Sequence, residues 1–177
     1  MEGEESLIKQ AVNGKPEAFG ALYDHYLPKI YRFILIKVSH KEQAEDLTHQ
    51  TFLKAWEGVG DYKSQGYPFG SWLYRIARNT VIDYYRANKP RTSLEDVSLD
   101  ELGIDDSLVS KLEISIEWES LLGAIKMLEQ LEQDVLIMRF VEDLPHKDVA
   151  KAVNKSENAV KVIQHRAIKR LKEIVSK

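Results

Sequence analysis

The chain has 177 residues, 44% of them apolar, which is enough to bury a core and excludes disorder throughout. It has no cysteine, which excludes disulfides, thiolate metal sites and a thiol nucleophile together and fits a reducing cytoplasm. The net charge of -3 argues against a nucleic-acid partner only as a sum: residues 61–91 carry six basic and two acidic residues, 92–144 three and fourteen, and 145–177 nine and three.

The opening MEGEESLIKQ has no basic stretch leading into an apolar core, and no window approaches the length of a membrane span, so direct membrane insertion is not expected. Helical periodicity runs from Ser6 to Asn88 without alternating β-branched runs, which predicts helix throughout the first half. NGKPEAF at 13–19 is a turn followed by Pro16 near a helix start, where its missing N–H is harmless. Ala18, Leu22, Tyr26, Ile30 and Phe33 then recur at helical spacing, with Pro28 a candidate kink. SHKEQAEDLTHQTFLKAW at 39–56 offers Ser39 as an N-cap and Ala44, Leu47, Phe52, Leu53 and Trp56 as an apolar side. Residues 57–70 hold four of the nine glycines and Pro68, the mark of a loop.

FGSWLYRIARNTVIDYYR at 69–86 predicts a helix with Ser71 as a candidate cap. Leu73, Ile76, Ala77, Thr80 and Tyr84 fall on one side, and Arg75, Arg78, Asn79, Ile82 and Arg86 on the other. Trp72, Tyr74 and Tyr85 add aromatic rings to a face with a single acid, Asp83, which is unusual for a solvated surface. Pro90 disfavours helical geometry at Lys89 and should end the helix there. Residues 91–115 are rich in acids and serine and read as a linker; between 92 and 119 nine acids face one lysine, Lys111. Helical pattern returns at Glu117 with Leu121, Leu122, Ile125 and Leu128, and again through Val135, Leu136 and Phe140.

Residues 143–174, DLPHKDVAKAVNKSENAVKVIQHRAIKRLKEI, have the form of a helix-turn-helix: Val149, Ala150 and Val153 on a short helix, a turn at Asn154 and Lys155, and Ser156 capping a second helix. Val160, Ile163, Ala167, Leu171 and Ile174 mark its buried side. Asn158, Lys161, Val162, His165 and Lys169 face away, flanked by Arg166 and Arg170, which suits a helix in a major groove beside phosphates. The competing reading is an ordinary basic helix in a bundle. Asp46 with His49, and Asp143 with His146, share the spacing of helical di-iron ligands, but Pro145 spoils the second pair and chance spacing accounts for both.

Together the two halves resemble bacterial sigma factors of the extracytoplasmic-function (ECF) class, which keep only sigma regions 2 and 4. AEDLTHQTFLKAW at 44–56 is similar to the segment that meets the clamp helices of RNA polymerase, FGSWLYRIARNTVIDYYR to the one that opens and reads the minus-10 element, and residues 135–173 to region 4, which reads the minus-35 element. The resemblance implies an all-α fold of two small helical domains, region 2 over 1–90 and region 4 over 116–177, joined by an acidic linker at 91–115. It implies a cytoplasmic, non-enzymatic protein without cofactor or metal, whose partners are core RNA polymerase and promoter DNA, with an anti-sigma factor as a further partner many members have.

Under that resemblance Glu45, Asp46, His49, Gln50 and Lys54 become a polymerase-docking face; their polarity alone reads as solvation. Extruded bases need aromatic pockets with donors nearby, for which Trp72, Tyr74 and Asn79 are suited, while Arg75, Arg78 and Arg86 can hold the strand. Trp72 taken alone reads as core packing. The family's pocket for a flipped base maps onto Tyr74, Ile76 and Asn79, with the loop at 61–69 selecting the base. Minus-35 contacts map onto Glu157, Asn158, Lys161, Val162, His165 and Arg166. A polyanionic linker also suits occupation of a basic RNA channel. Three departures stand out: Glu129 replaces a usual proline, Pro145 replaces a usual serine cap, and Ile163-Gln164 replaces arginine then leucine, leaving open which of the two faces the core.

Overall fold

A computed structural model of the chain describes residues 3–64, 66–88 and 113–176, with side chains of 113–117 excluded. Nearly all of the linker, including the acids from Glu95 to Asp106, lies outside the described residues. The described elements are helical: α1 (Glu4–Val12), α2 (Pro16–Val38), α3 (Lys41–Gly58), a 3-10 turn (Val59–Asp61), α4 (Phe69–Ala87), α5 (Glu113–Lys126), α6 (Gln130–Leu136), a π-helical stretch (Ile137–Val141), α7 (His146–Val153) and α8 (Glu157–Val175).

Pro16 opens α2, and the helix continues through Pro28. Its last turns, Phe33 to Val38, are buried on every side, Lys37 included, because α2 ends between the two halves of the molecule. Ser39 does not cap α3: it sits in the left-handed region at φ 55° and closes α2, its N–H donating to the Leu35 carbonyl. His40 takes the N-cap position of α3 instead. That helix buries Ala44, Leu47, Thr48, Thr51, Phe52 and Ala55, whereas Leu53 and Trp56, expected on the apolar side, are 51% and 41% exposed.

α4 begins at Phe69 with Pro68 as N-cap, so Ser71 lies within the first turn and its hydroxyl donates to the Asp148 carbonyl at 3.0 Å. The buried set of α4 is Phe69, Ser71, Leu73, Tyr74, Ala77, Thr80 and Val81. This is wider than one amphipathic stripe, because α2 and α3 pack on α4 from one side and α7 from another. The helix ends at Ala87, close to where Pro90 predicts.

α5 starts at Glu113, four residues before Glu117, where the apolar pattern begins. Glu129, in place of the expected proline, is the N-cap of α6, and its N–H donates to Glu132 Oε2 at 3.3 Å. Pro145 is the N-cap of α7. Asn154, left-handed at φ 54°, ends α7, and the Ser156 hydroxyl accepts the Ala159 N–H at 3.1 Å to start α8, as the turn-and-cap pattern predicts. Ile163 is buried while Gln164 turns aside to His146 at 2.9 Å, so Ile163 faces the core. One main core runs from Phe33, Leu73 and Val81 through Val135, Ile137, Met138, Val149 and Val160, and therefore crosses between the halves.

Candidate nucleic-acid interface

The sequence places Trp72, Ile76 and Asn79 at intervals of about one helical turn, and α4 brings them to one cleft. Lys54 of α3, Gly58, Asp61, Tyr62 and Asp83 complete its lining, and its volume is about 450 Å³, within the range of small-ligand pockets. Trp72 is half-buried with its ring against Tyr62 at 5.2 Å and Phe69 at 5.3 Å between centroids. Its packing and its place in the wall are thus the same fact: the core holds one part of the indole and leaves another open to the cleft. Asn79 is exposed beside it and offers an amide that both donates and accepts. Burial pushes the Tyr62 hydroxyl up to about 12, and that hydroxyl donates to the Tyr67 carbonyl, tying Tyr62 to the backbone that leads into α4.

The other predicted α4 residues go elsewhere. Tyr74 is 1% exposed, packs edge-on against Phe33 at 5.5 Å, and donates its hydroxyl to Glu142 at 3.0 Å. Burial and then the Glu142 charge push that phenol upward. Arg78 donates to Asp134 at 2.6 Å. Arg75 is exposed and donates to the Tyr67 hydroxyl at 3.2 Å, and Arg86 is exposed near the helix end. Thus the expected arginine stripe is divided.

On α3, Glu45, Asp46, His49 and Gln50 are exposed along one face, and Leu53 continues it one turn on. Lys54 leans from that face toward α4, 3.3 Å from Thr80 Oγ1 and 3.9 Å from Asp83. Leu53 was hidden by its apolar character, and Asp61 and Tyr62 were anticipated only as part of the 61–69 loop that the resemblance assigns to base selection, not as individual residues.

On α8, Glu157, Asn158, Lys161, Val162, His165 and Arg166 are all exposed, as their spacing predicts. Lys161 pairs with Glu157 at 3.2 Å within its own helix. Arg166 donates to Glu132 at 3.2 Å, and Arg170 bridges Glu129 and Glu132, both at 3.0 Å. Those two arginines neutralise a Glu132 carboxylate whose side chain is 1% exposed. Asn158, Lys161, Val162 and His165 form the open part of this face, Lys161 tied only within its own helix, and Arg166 is shared with the scaffold. Among the described residues no three His, Asp or Glu side chains gather as metal ligands, and no helix is long and apolar enough to cross a membrane.

The model of sigma-70 region 2 matches residues 22–91, and that of sigma-70 region 4 matches residues 124–173. The chain is 34% identical over 174 residues to the ECF RNA polymerase sigma factor BldN of Streptomyces coelicolor, covering 96% of this chain and 64% of that protein. It thus spans just under two thirds of that relative's length. Identity to the ECF RNA polymerase sigma factor SigX of Bacillus subtilis is 28% over 162 residues, covering 89% of this chain and 83% of that one. CnrH, solved in complex with the cytosolic domain of CnrY, has the same fold, with a TM-score of 0.72 at 20% identity, covering 98% of this chain and 97% of that chain.

Proposed function

The chain belongs to the sigma-70 family, in its ECF class, and from that premise we propose that it binds core RNA polymerase and directs initiation at promoters it reads at two places. Region 4, assigned to 116–177, reads minus-35 duplex with α8. Region 2, assigned to 1–90, melts and reads minus-10 DNA at the α4 cleft. The chain makes and breaks no bond itself; the polymerase supplies the chemistry, and the chain works in the cytoplasm where that polymerase is. An anti-sigma factor is a further candidate partner, on the likeness of fold to the sigma factor RpoE of Bartonella quintana, which was solved in complex with the anti-sigma factor NepR.

The observation that carries the proposal is the pairing of two unlike readers in one chain. The α4 cleft joins an indole wall to the Asn79 amide, suited to an unstacked base. The α8 face is a capped helix after a left-handed turn, with Lys161 and His165 outward, suited to a duplex groove. A duplex-only regulator would have use for the second and none for the first. The exposed α3 face from Glu45 to Leu53 is assigned to polymerase docking, with Leu53 as its apolar centre. The acidic linker at 91–115 suits occupation of a basic RNA channel until transcript displaces it.

The test is to mix purified chain with core RNA polymerase on fragmented genomic DNA and map transcript 5′ ends. A common pair of upstream elements that no transcript shows without the chain supports the reading. Core polymerase binding without any chain-dependent start site, or no binding, overturns it.

A further inference from the structure

Val162 is 64% exposed on α8. Helical spacing sets it on the side of the helix away from the buried Val160, Ile163 and Ala167, with Asn158 one turn before it and His165 and Arg166 one turn after. It contributes little to the fold there. A branched side chain loses rotamer freedom in a helix, and alanine or a straight-chain residue fills an exposed helical position more favourably. On an ordinary surface a single exposed valine needs no explanation. On this face its neighbours Asn158, Lys161, His165, Arg166 and Lys169 are all polar or charged, and two of them are already engaged. Lys161 pairs with Glu157 at 3.2 Å, and Arg166 with Glu132 at 3.2 Å. Between them the isopropyl group stands open, an apolar spot on a face built to meet polar atoms.

We infer that Val162 is a specificity-determining residue that reads the methyl group of a thymine in the minus-35 element. The inference rests on the assignment of α8 to that element. Residues near the start of a recognition helix meet base edges, and Val162 lies in the second turn after the Ser156 cap. In the major groove guanine, cytosine and adenine present hydrogen-bond donors and acceptors, whereas thymine adds a methyl group. A valine side chain neither donates nor accepts. Against the other bases it strips water from polar atoms and returns no hydrogen bond, while against thymine two apolar surfaces leave water together. The branched side chain holds one preferred rotamer in a helix, so its methyl groups arrive already ordered. Its placement is equally fixed. The left-handed Asn154 and the Ser156 cap set where α8 begins, and the buried Val160 and Ile163 on either side in sequence set its rotation.

Replacing thymine by deoxyuridine removes the methyl group and keeps the pairing and the O4 acceptor, so it isolates this contact. The complex of the full chain with core polymerase is titrated with promoter duplexes in which each minus-35 thymine, on either strand, is replaced in turn. One replacement is expected to weaken binding about fourfold, the scale of one methyl group leaving water. Val162→Ser, at an exposed position outside the core, should bind the thymine and deoxyuridine duplexes equally. Cytosine at the same position should weaken binding to the parent, and 5-methylcytosine should restore a similar factor, again only with Val162 present. Deoxyuridine without effect at every position, a Val162→Ser complex that keeps the parent's preference for thymine, or a minus-35 element with no thymine on either strand would each overturn the inference. Failure of the underlying function reads differently. A scrambled minus-35 segment bound as tightly as the intact one removes α8 as the reader and the inference with it, whereas a preference for the intact element that ignores deoxyuridine removes only the Val162 contact.

Discussion

Asn79 places an amide beside the open part of Trp72, and a base that enters the cleft must give up water to meet it. Asn79→Ala should therefore cost about 1–3 kcal/mol of discrimination at one minus-10 base. The check is transcription from single-base minus-10 variants: a loss at one position supports base reading, and equal activity across all variants removes Asn79 from the site. Asp148 gives a stability test with a definite sign. Its carboxyl lies above the ordinary 3.8 because burial penalises the charge, with Lys147 opposing. A folded value above the unfolded one means its contribution is complete below 3.8 and is lost as pH rises through the folded value. Asp148→Asn should thus gain stability over the parent at pH 7 and lose that advantage near pH 3, read as denaturant midpoints at the two pH values; the same difference at both would contradict it. At this scale the sequence was only partly legible. Asn79 and Lys161 followed from helical spacing, whereas Asp134 and Glu142 were indistinguishable from the acids of the linker. Burial of a carboxylate depends on what packs over it, and Lys37 and Arg32 approach them from about 100 residues away.

Among the elements, α8 was the most legible, because Ser156 as cap, Asn154 as left-handed turn and the Val160, Ile163, Ala167 spacing all agree. Its exposed face predicts that Lys161→Ala and Arg166→Ala differ. If Lys161 meets a guanine edge, its loss should cost about 1–3 kcal/mol at one base pair of the minus-35 element. Arg166, already paired with Glu132, should weaken all sequences more evenly as a phosphate contact. Affinity of the polymerase complex for single-base minus-35 variants at two salt concentrations separates these, and no change from either substitution removes α8 as the reader. α3 was less legible: periodicity counted Leu53 and Trp56 as core, yet Phe52 and Ala55 fill that place, Leu53 faces outward, and Trp56 lies at the core's edge with its ring against Phe19. Leu53→Ala should leave the fold intact and weaken core polymerase binding about tenfold, the scale of one leucine's burial. Unchanged affinity would move the docking face off this side of α3. Ser39 and Ser71 failed as caps for a shared reason: α2 and α4 end or begin one to three residues away, and local spacing alone does not fix a helix boundary.

In the whole molecule, the all-α architecture and the order of the two halves were readable from the chain, because helical periodicity and Pro90 are local signals. The docking of the halves was not, since it rests on a core continuous from α2 and α4 to α6 and α7 and on ion pairs whose members are distant in sequence. The two faces proposed to meet DNA have separate origins: the α4 cleft is built by α3, α4 and the loop between them, the α8 face by the C-terminal helices alone. The central claim is that these faces engage two separate promoter elements at once. Its most direct measurement is DNA cleavage by an iron chelate tethered to a single introduced cysteine, Arg75→Cys on α4 or Asn158→Cys on α8, within the initiating complex; the chain has no other cysteine to carry the probe. Cuts should cluster near minus 10 from the α4 position and near minus 35 from the α8 position. Cuts from both positions in one segment, or none above the level of probe-free complex, would contradict it.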